Sequence, residues 1–208
     1  MILYGYYRSS ASWRVRIAFA LKGLSYEQRF RHLRKGEQLE PDYLKINPQG
    51  LVPSLVLADG TALTQSLAII QYLDEIEPDP ALVSGSAVER AKIRAASYVV
   101  ACETHPVQNL KILERVRTLA GEETSVAWAR QTISEGLSTF AALVANETGP
   151  YAFGEHPSLA DICLIPQLAN ARRFGADTAI GRIPEIERAC MQNAAFERTR
   201  PELQPDAE

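Results

Sequence analysis

YRSSASWRVRIAFALK (Tyr7–Lys22) sets a hydroxyl cluster, Ser9, Ser10 and Ser12, at the start of an amphipathic helix, directly after a short apolar strand, Ile2–Gly5. The first turn of a helix presents N–H groups without intrahelical partners and the positive end of the helix dipole. An anion or a nascent thiolate placed there is therefore stabilised. Arg8, Arg14 and Arg16 add positive charge on both sides of that start. A single serine before a helix ordinarily does no more than cap it, so the weight of this segment depends on its neighbours along the chain.

INPQGLVPSLVL (Ile46–Leu57) places Val52-Pro53 just before an apolar run, and X-Pro is the one setting in which a cis peptide costs little. Such a bond would turn the Val52 N–H and C=O toward a neighbouring cleft. Ala58-Asp59-Gly60 then marks a hairpin turn between short strands. LTQSLAIIQYLDE (Leu63–Glu75) opens a second helix with Gln65 and Ser66 at its head, a second anion-binding helix start. Two helix starts aimed at one cleft, with a Val-Pro corner between them, suit a peptide-like ligand that carries a thiol and a carboxylate.

Short strands alternate with helices up to Glu77, and PDPALVSGS (Pro78–Ser86) has the composition of a linker. From Ala87 onward strand signals cease. Val88–Val116 is a long helical pattern with Pro106 in its middle, which should kink or split it. Glu123–Asn146 and Ser158–Phe174 are further helical stretches, and two short helices near Pro184–Arg198 precede a polar tail. HPSLAD (His156–Asp161) gives Ser158 at the N-cap and Asp161 three residues on, an acidic capping box, with Pro157 and Ile162 placed as its hydrophobic staple. That motif starts a buried helix and keeps Asp161 out of the chemistry.

With 208 residues, 46% of them hydrophobic, the chain can bury a sizeable core as one long domain or two smaller ones. A net charge of -3 gives no nucleic-acid footprint. No apolar run is long enough to span a bilayer and no secretory leader is visible, so a cytoplasmic protein is the expectation. Cys102, Cys163 and Cys190 are odd in number and far apart, without C-x-x-C. They encode neither a disulfide framework nor a redox pair and are expected to be small buried hydrophobes. His32, His105 and His156 lack metal-ligand spacing, and no metal site is expected.

RSSASWRVRIA (Arg8–Ala18), NPQGLVP (Asn47–Pro53), TQSLAIIQYLDE (Thr64–Glu75), HPVQNLKIL (His105–Leu113) and SLADICLIPQLANARRF (Ser158–Phe174) together resemble the zeta class of glutathione transferases, over nearly the whole chain. The class motif usually reads Ser-Ser-Cys, and Ala11 stands here in the cysteine's place, which weakens any redox or alkylation inference. The resemblance implies an α/β plus all-α architecture: a thioredoxin-like domain, residues 1–80, with a mixed four-stranded sheet, and an all-helical substrate-binding domain, residues 87–208. It implies glutathione as cofactor, held by Ser9, by Gln38 at the glycyl end, by the Val52 backbone beside Pro53, and by Gln65 and Ser66 at the γ-glutamyl carboxylate. Gln108 and Asn109 match a family segment lining the same pocket.

For catalysis the resemblance implies Ser9 as the principal thiolate donor, Ser10 as a secondary one, and Arg8 for the developing enolate. Arg8 and Arg173, with His105 and Lys111, are implied to bind substrate, whereas Arg172 fits equally well the plain role of answering the helix dipole. Arginine matches carboxylates with paired donors, so two separated arginines suit a small dicarboxylate. The implied reaction is glutathione-dependent cis–trans isomerisation of maleylacetoacetate or maleylpyruvate by a homodimer. A conjugating or dehalogenating transferase would use the same thiolate and stays open.

Overall fold

In the computed structural model, which describes residues 1–208, β1 (Ile2–Gly5) pairs in parallel with β2 (Glu27–Phe30) and antiparallel with β3 (Ser54–Val56). β3 pairs antiparallel with β4 (Ala62–Thr64), so the mixed sheet runs β2-β1-β3-β4. The chain divides into two compact units, Met1–Ala81 together with Asn193–Glu208, and Leu82–Gln192.

In the first unit, where α2 (Pro41–Leu44) is a single short turn between β2 and β3, α1 (Ser10–Leu21) packs on α3 (Ser66–Ile76). Val15, Ile17, Phe19, Ile69, Ile70 and Leu73, each at most 1% exposed, form the apolar seam. α1 also buries charge, and Lys22 and Arg16 show how: each donates to oxygens that offset the cost of burying an ion. At its C-terminal end the Lys22 ammonium donates to Asp74 Oδ1 and to the Pro80 carbonyl, both at 2.6 Å. The Arg16 guanidinium donates from Nη2 to the Tyr7 carbonyl (3.1 Å) and from Nε to the Thr199 carbonyl (3.2 Å). Burial lowers its pKa to about 10, with Tyr26 and Asp206 pulling the other way. The sequence suggested Arg14 and Arg16 as charges flanking the helix start. Instead both are 1% exposed inside the unit, and Arg16 is a bracket.

That bracket explains a second departure. The expected helical domain, 87–208, included the end of the chain, yet residues 193–208 belong by contact with the first unit. α9 (Ala194–Glu197) packs on α1, Trp13 Nε1 donates to Thr199 Oγ1 at 3.2 Å, and Phe196 is fully buried.

In the second unit α4 (Ala87–Tyr98) starts at a complete capping box, Ser86 with Glu89. It passes into a π-helical turn at Val99–Thr104 and a 3₁₀ turn at Pro106–Gln108 before α5 (Leu110–Ala120). The long pattern thus splits at Pro106, which has no N–H to donate. α6 (Glu122–Leu143) crosses the π-turn so closely that a Cβ on Gly136 would lie 2.0 Å from Thr104 Oγ1. α7 (Leu159–Phe174) packs on α4 and α6, and α8 (Ile183–Gln192) packs on α7.

Asp161, in the first turn of α7, is fully buried. Its carboxylate accepts the Ala152 N–H (2.8 Å), the Ser158 N–H (2.8 Å) and the Ser158 hydroxyl (2.7 Å). Burial raises its pKa, and those hydrogen bonds oppose the rise. Cys163 and Cys190 are buried as expected, but Cys102 is exposed, because it lies with Glu103 on the solvent side of the π-turn. No helix is long and apolar enough to cross a membrane.

Candidate functional site

The sheet register collects the first unit's candidate residues at one end. Tyr4 is opposite Ser54, Ser54 opposite Thr64, and Gly5 beside Phe30. The segments after β1, before β3, after β4 and after β2 therefore emerge together, and they carry Ser9, Val52, Gln65 with Ser66, and the approach to Gln38.

After β1 the chain makes a turn closed by the Ser9 N–H on the Tyr6 carbonyl at 3.0 Å. Ser9 is the N-cap of α1, with extended backbone, and its Oγ accepts the Ser12 N–H at 3.2 Å. The cap uses a lone pair and leaves the hydroxyl proton available to donate. Ser10 is the first helical residue and is buried, while Arg8 is exposed in the turn. Tyr6, by contrast, is a poor acid: burial, then the neighbouring Tyr7, holds its pKa at about 12, and Arg8 and Arg34 pull it down.

Before β3 the Val52-Pro53 peptide is cis. The Leu51 carbonyl is fixed twice, by Tyr43 Oη (2.6 Å) and by Asn47 Nδ2 (2.7 Å). Tyr43 Oη also meets Ser54 Oγ at 2.8 Å. The Val52 N–H and C=O take no backbone partner, so a buried residue keeps one donor and one acceptor open to an extended peptide ligand.

After β4, Gln65 adopts φ 70°, ψ 118°, a left-handed-side conformation unfavourable for a side-chain-bearing residue, and its Nε2 is tied to Gln49 Oε1 at 2.7 Å. α3 begins here with no side-chain cap, and Ser66 is its first residue. Its first-turn N–H groups, the Ser66 hydroxyl and the helix dipole thus form an anion seat that nothing within the helix start fills. Gln38 lies in a 3₁₀ turn at Glu37–Leu39 with its Oε1 buried and unpartnered. Gly50, at φ 62°, passes so near that a Cβ would lie 3.3 Å from the Gln38 carbonyl.

Sequence reasoning assigned no role to Tyr43, Asn47 or Gln49, although Asn47 and Gln49 stand in the NPQG run. Their function is support, and only the paired strands reveal what they support.

In the second unit His105 ends the π-turn and is half-buried. Gln108 is buried, its Nε2 3.5 Å from Gln167 Oε1. Asn109 caps α5, its Oδ1 accepting the Ile112 N–H at 3.2 Å, and Lys111 is exposed on that helix. At the end of α7, Arg172 is paired to Glu187 Oε2 at 2.5 Å, which satisfies it structurally. Arg173 is exposed, its guanidinium 5.2 Å from the Phe174 ring centre.

Residues 3–81 match the family model described as Glutathione S-transferase, N-terminal domain. A maleylacetoacetate isomerase of Pseudomonas aeruginosa is 41% identical over 99% of this chain and 98% of its own length. A holo structure of a maleylpyruvate isomerase, a bacterial zeta-class glutathione S-transferase, is 41% identical with a TM-score of 0.96 and covers 100% of both chains. A maleylacetoacetate isomerase of Methylobacterium extorquens AM1, solved with bound malonate and glutathione, is 38% identical with a TM-score of 0.95, again over 100% of both chains.

Proposed function

Because the chain belongs to the zeta class of the glutathione S-transferases, we propose that it isomerises a maleyl-type dicarboxylate, maleylacetoacetate or maleylpyruvate, to the fumaryl isomer with glutathione as recycled cofactor. The observation that carries the reading is Ser9: its lone pair caps α1 while its proton stays free at the positive end of that helix. The residues present fit glutathione. The Val52 N–H and C=O match its peptide, the uncapped α3 start with Gln65 and Ser66 matches its γ-glutamyl carboxylate, and Gln38 offers an unpartnered amide oxygen to the N–H of the glycyl end.

When bound, glutathione would supply a thiol nucleophile for reversible addition to the conjugated cis double bond, chemistry that permits rotation and returns the thiol unchanged. A free thiol has a pKa of about 8.5, so little of it is ionised at neutral pH. Ser9, seconded by Ser10 and the α1 dipole, favours the anion. Arg8 stabilises charge that develops on the carbonyl oxygen. Arg173 takes a carboxylate of the substrate, with His105 and Lys111 as further contacts and Gln108 and Asn109 beside the cofactor. The dicarboxylate bound to a relative supports that substrate class. The same reading makes the enzyme a cytoplasmic homodimer, and its three free cysteines suit a reducing compartment.

The test is an assay of both reactions. With glutathione the protein should form the fumaryl isomer faster than it conjugates a neutral aryl halide, and total glutathione should stay constant. Arg173→Met should raise KM for the dicarboxylate about tenfold, the modest size suited to an exposed guanidinium, and spare the aryl halide reaction. Faster glutathione consumption by the aryl halide would favour the conjugating transferase. Equal losses on both substrates would make Arg173 a structural residue.

A further inference from the structure

The turn that presents Ser9 is not held by its own hydrogen bonds alone. In a four-residue turn closed from Ser9 to Tyr6, the peptide groups of the central residues point away from the closing bond, and Tyr7 is the first of them. Both of its backbone groups are taken by side chains from outside the turn. Its N–H donates to Asp206 Oδ2 at 2.9 Å. Its carbonyl accepts from Arg16, whose Nε reaches on to the Thr199 carbonyl. One end of the turn is thus fixed by the C-terminal tail directly, and the other through a buried arginine that leads to the same tail.

We propose that Asp206 is a positioning residue for the thiolate donor: by holding the Tyr7 N–H, its carboxylate fixes the Tyr6–Ser9 turn and so the direction in which the Ser9 hydroxyl points. The inference rests on Ser9 being that donor. Three further features fit it. Asp206 is half-buried on a tail whose neighbours Pro205, Ala207 and Glu208 are exposed, so the carboxylate is turned inward. Its other oxygen, Oδ1, is buried without a partner, an arrangement that the tail's own stability does not need. Burial raises the Asp206 pKa, opposed by the Tyr7 N–H and by the facing charges of Arg16 and His32.

A carboxylate near a thiolate seat would on charge alone disfavour the anion. Arg16 faces Asp206 across the Tyr7 peptide and offsets that charge, so what remains is geometric control. A displacement of the order of 1 Å in a catalytic group can cost about a hundredfold in rate, and loss of a charge-assisted hydrogen bond about tenfold or more. His32 Nε2 lies 2.8 Å from Glu208 Oε1, a second tether beyond Asp206.

The experiment compares Asp206→Ala, Asp206→Asn, a chain stopped after Pro205, and Ser9→Ala, each titrated with bound glutathione and assayed for isomerisation. Asp206→Ala and the shortened chain should raise the apparent pKa of the bound thiol and lower kcat about tenfold, with glutathione affinity changed less than about threefold. Asp206→Asn keeps an acceptor for the Tyr7 N–H and should recover most of both. The proposal is overturned if Asp206→Ala or, should that variant fail to fold, the shortened chain keeps the wild-type thiol pKa and kcat. It is equally overturned if the asparagine rescues nothing, or if affinity falls in step with kcat, the mark of general loosening. If Ser9→Ala leaves the thiol pKa unmoved, the reading of the site fails first. If Ser9→Ala raises it and Asp206→Ala does not, the positioning role alone fails.

Discussion

Ser9 combines two tasks that a serine can hold at once because a hydroxyl is both acceptor and donor. Its acceptor side is committed to the Ser12 N–H, which fixes the rotamer, and a fixed rotamer aims the proton. Ser9→Ala should therefore raise the apparent pKa of bound glutathione by about one to two units, the equivalent of one charge-assisted hydrogen bond. It should also lower stability by about 1 kcal/mol through the lost cap. Ser9→Thr keeps both functions and should restore both quantities, as thiolate absorbance and urea melts would record. An unchanged thiol pKa in Ser9→Ala would pass the donor role to Ser10. This residue was legible in the sequence because capping and anion stabilisation are both local to one helix start. The support beneath Val52 and Gln65 was not. Tyr43, Asn47 and Gln49 act through the Leu51 carbonyl and the Gln65 amide, and those contacts exist only once the strands have paired.

Elements differ in the same way. The break at Pro106 could be read directly, since a missing N–H ends a helix whatever surrounds it. β2 could not. Its sequence, Glu27-Gln28-Arg29-Phe30, alternates exposed with half-buried positions but offers one apolar side chain, and it is a strand because β1 presents an edge to it. The π-turn at Val99–Thr104 is equally silent in sequence, whereas the start of α7 was visible as Ser-Leu-Ala-Asp and forms around Asp161. The burial that raises the Asp161 pKa shows that the ionised carboxylate is not itself comfortable there. What it contributes is the satisfaction of two N–H groups and a hydroxyl, with the Cys190 thiol at 3.8 Å as a fourth donor. Asp161→Ala should leave the Ala152 and Ser158 N–H groups unpaired inside the unit and cost about 2–4 kcal/mol in urea unfolding. The thiol pKa of bound glutathione should not move. A thiol shift as large as that of Ser9→Ala would show that Asp161 acts on the chemistry after all.

At the scale of the whole molecule, the chain begins and ends in the same unit. The tail's sequence is polar and short in helix, so nothing in its pattern says where it belongs. Its membership is decided by partners far along the chain: Trp13 and Arg16 on Thr199, Tyr7 on Asp206, and the burial of Phe196. Deleting residues 193–208 removes Phe196, whose burial is worth about 1.5–3 kcal/mol. It also leaves the Arg16 guanidinium with the Tyr7 carbonyl as its one remaining hydrogen-bonded partner, a fault of the kind that costs several kcal/mol when a buried charge loses its partners. Together these losses approach the roughly 5–15 kcal/mol that holds a typical domain folded. A chain stopped after Gln192 should therefore lose protection from hydrogen exchange in β1 and α1 and should no longer bind glutathione. α6 and α7 pack on each other within the second unit, and their amides should stay protected. Retained protection in β1 and α1 would mean that the first unit folds without the tail, and that its contacts at Thr199 and Asp206 serve the Ser9 turn alone.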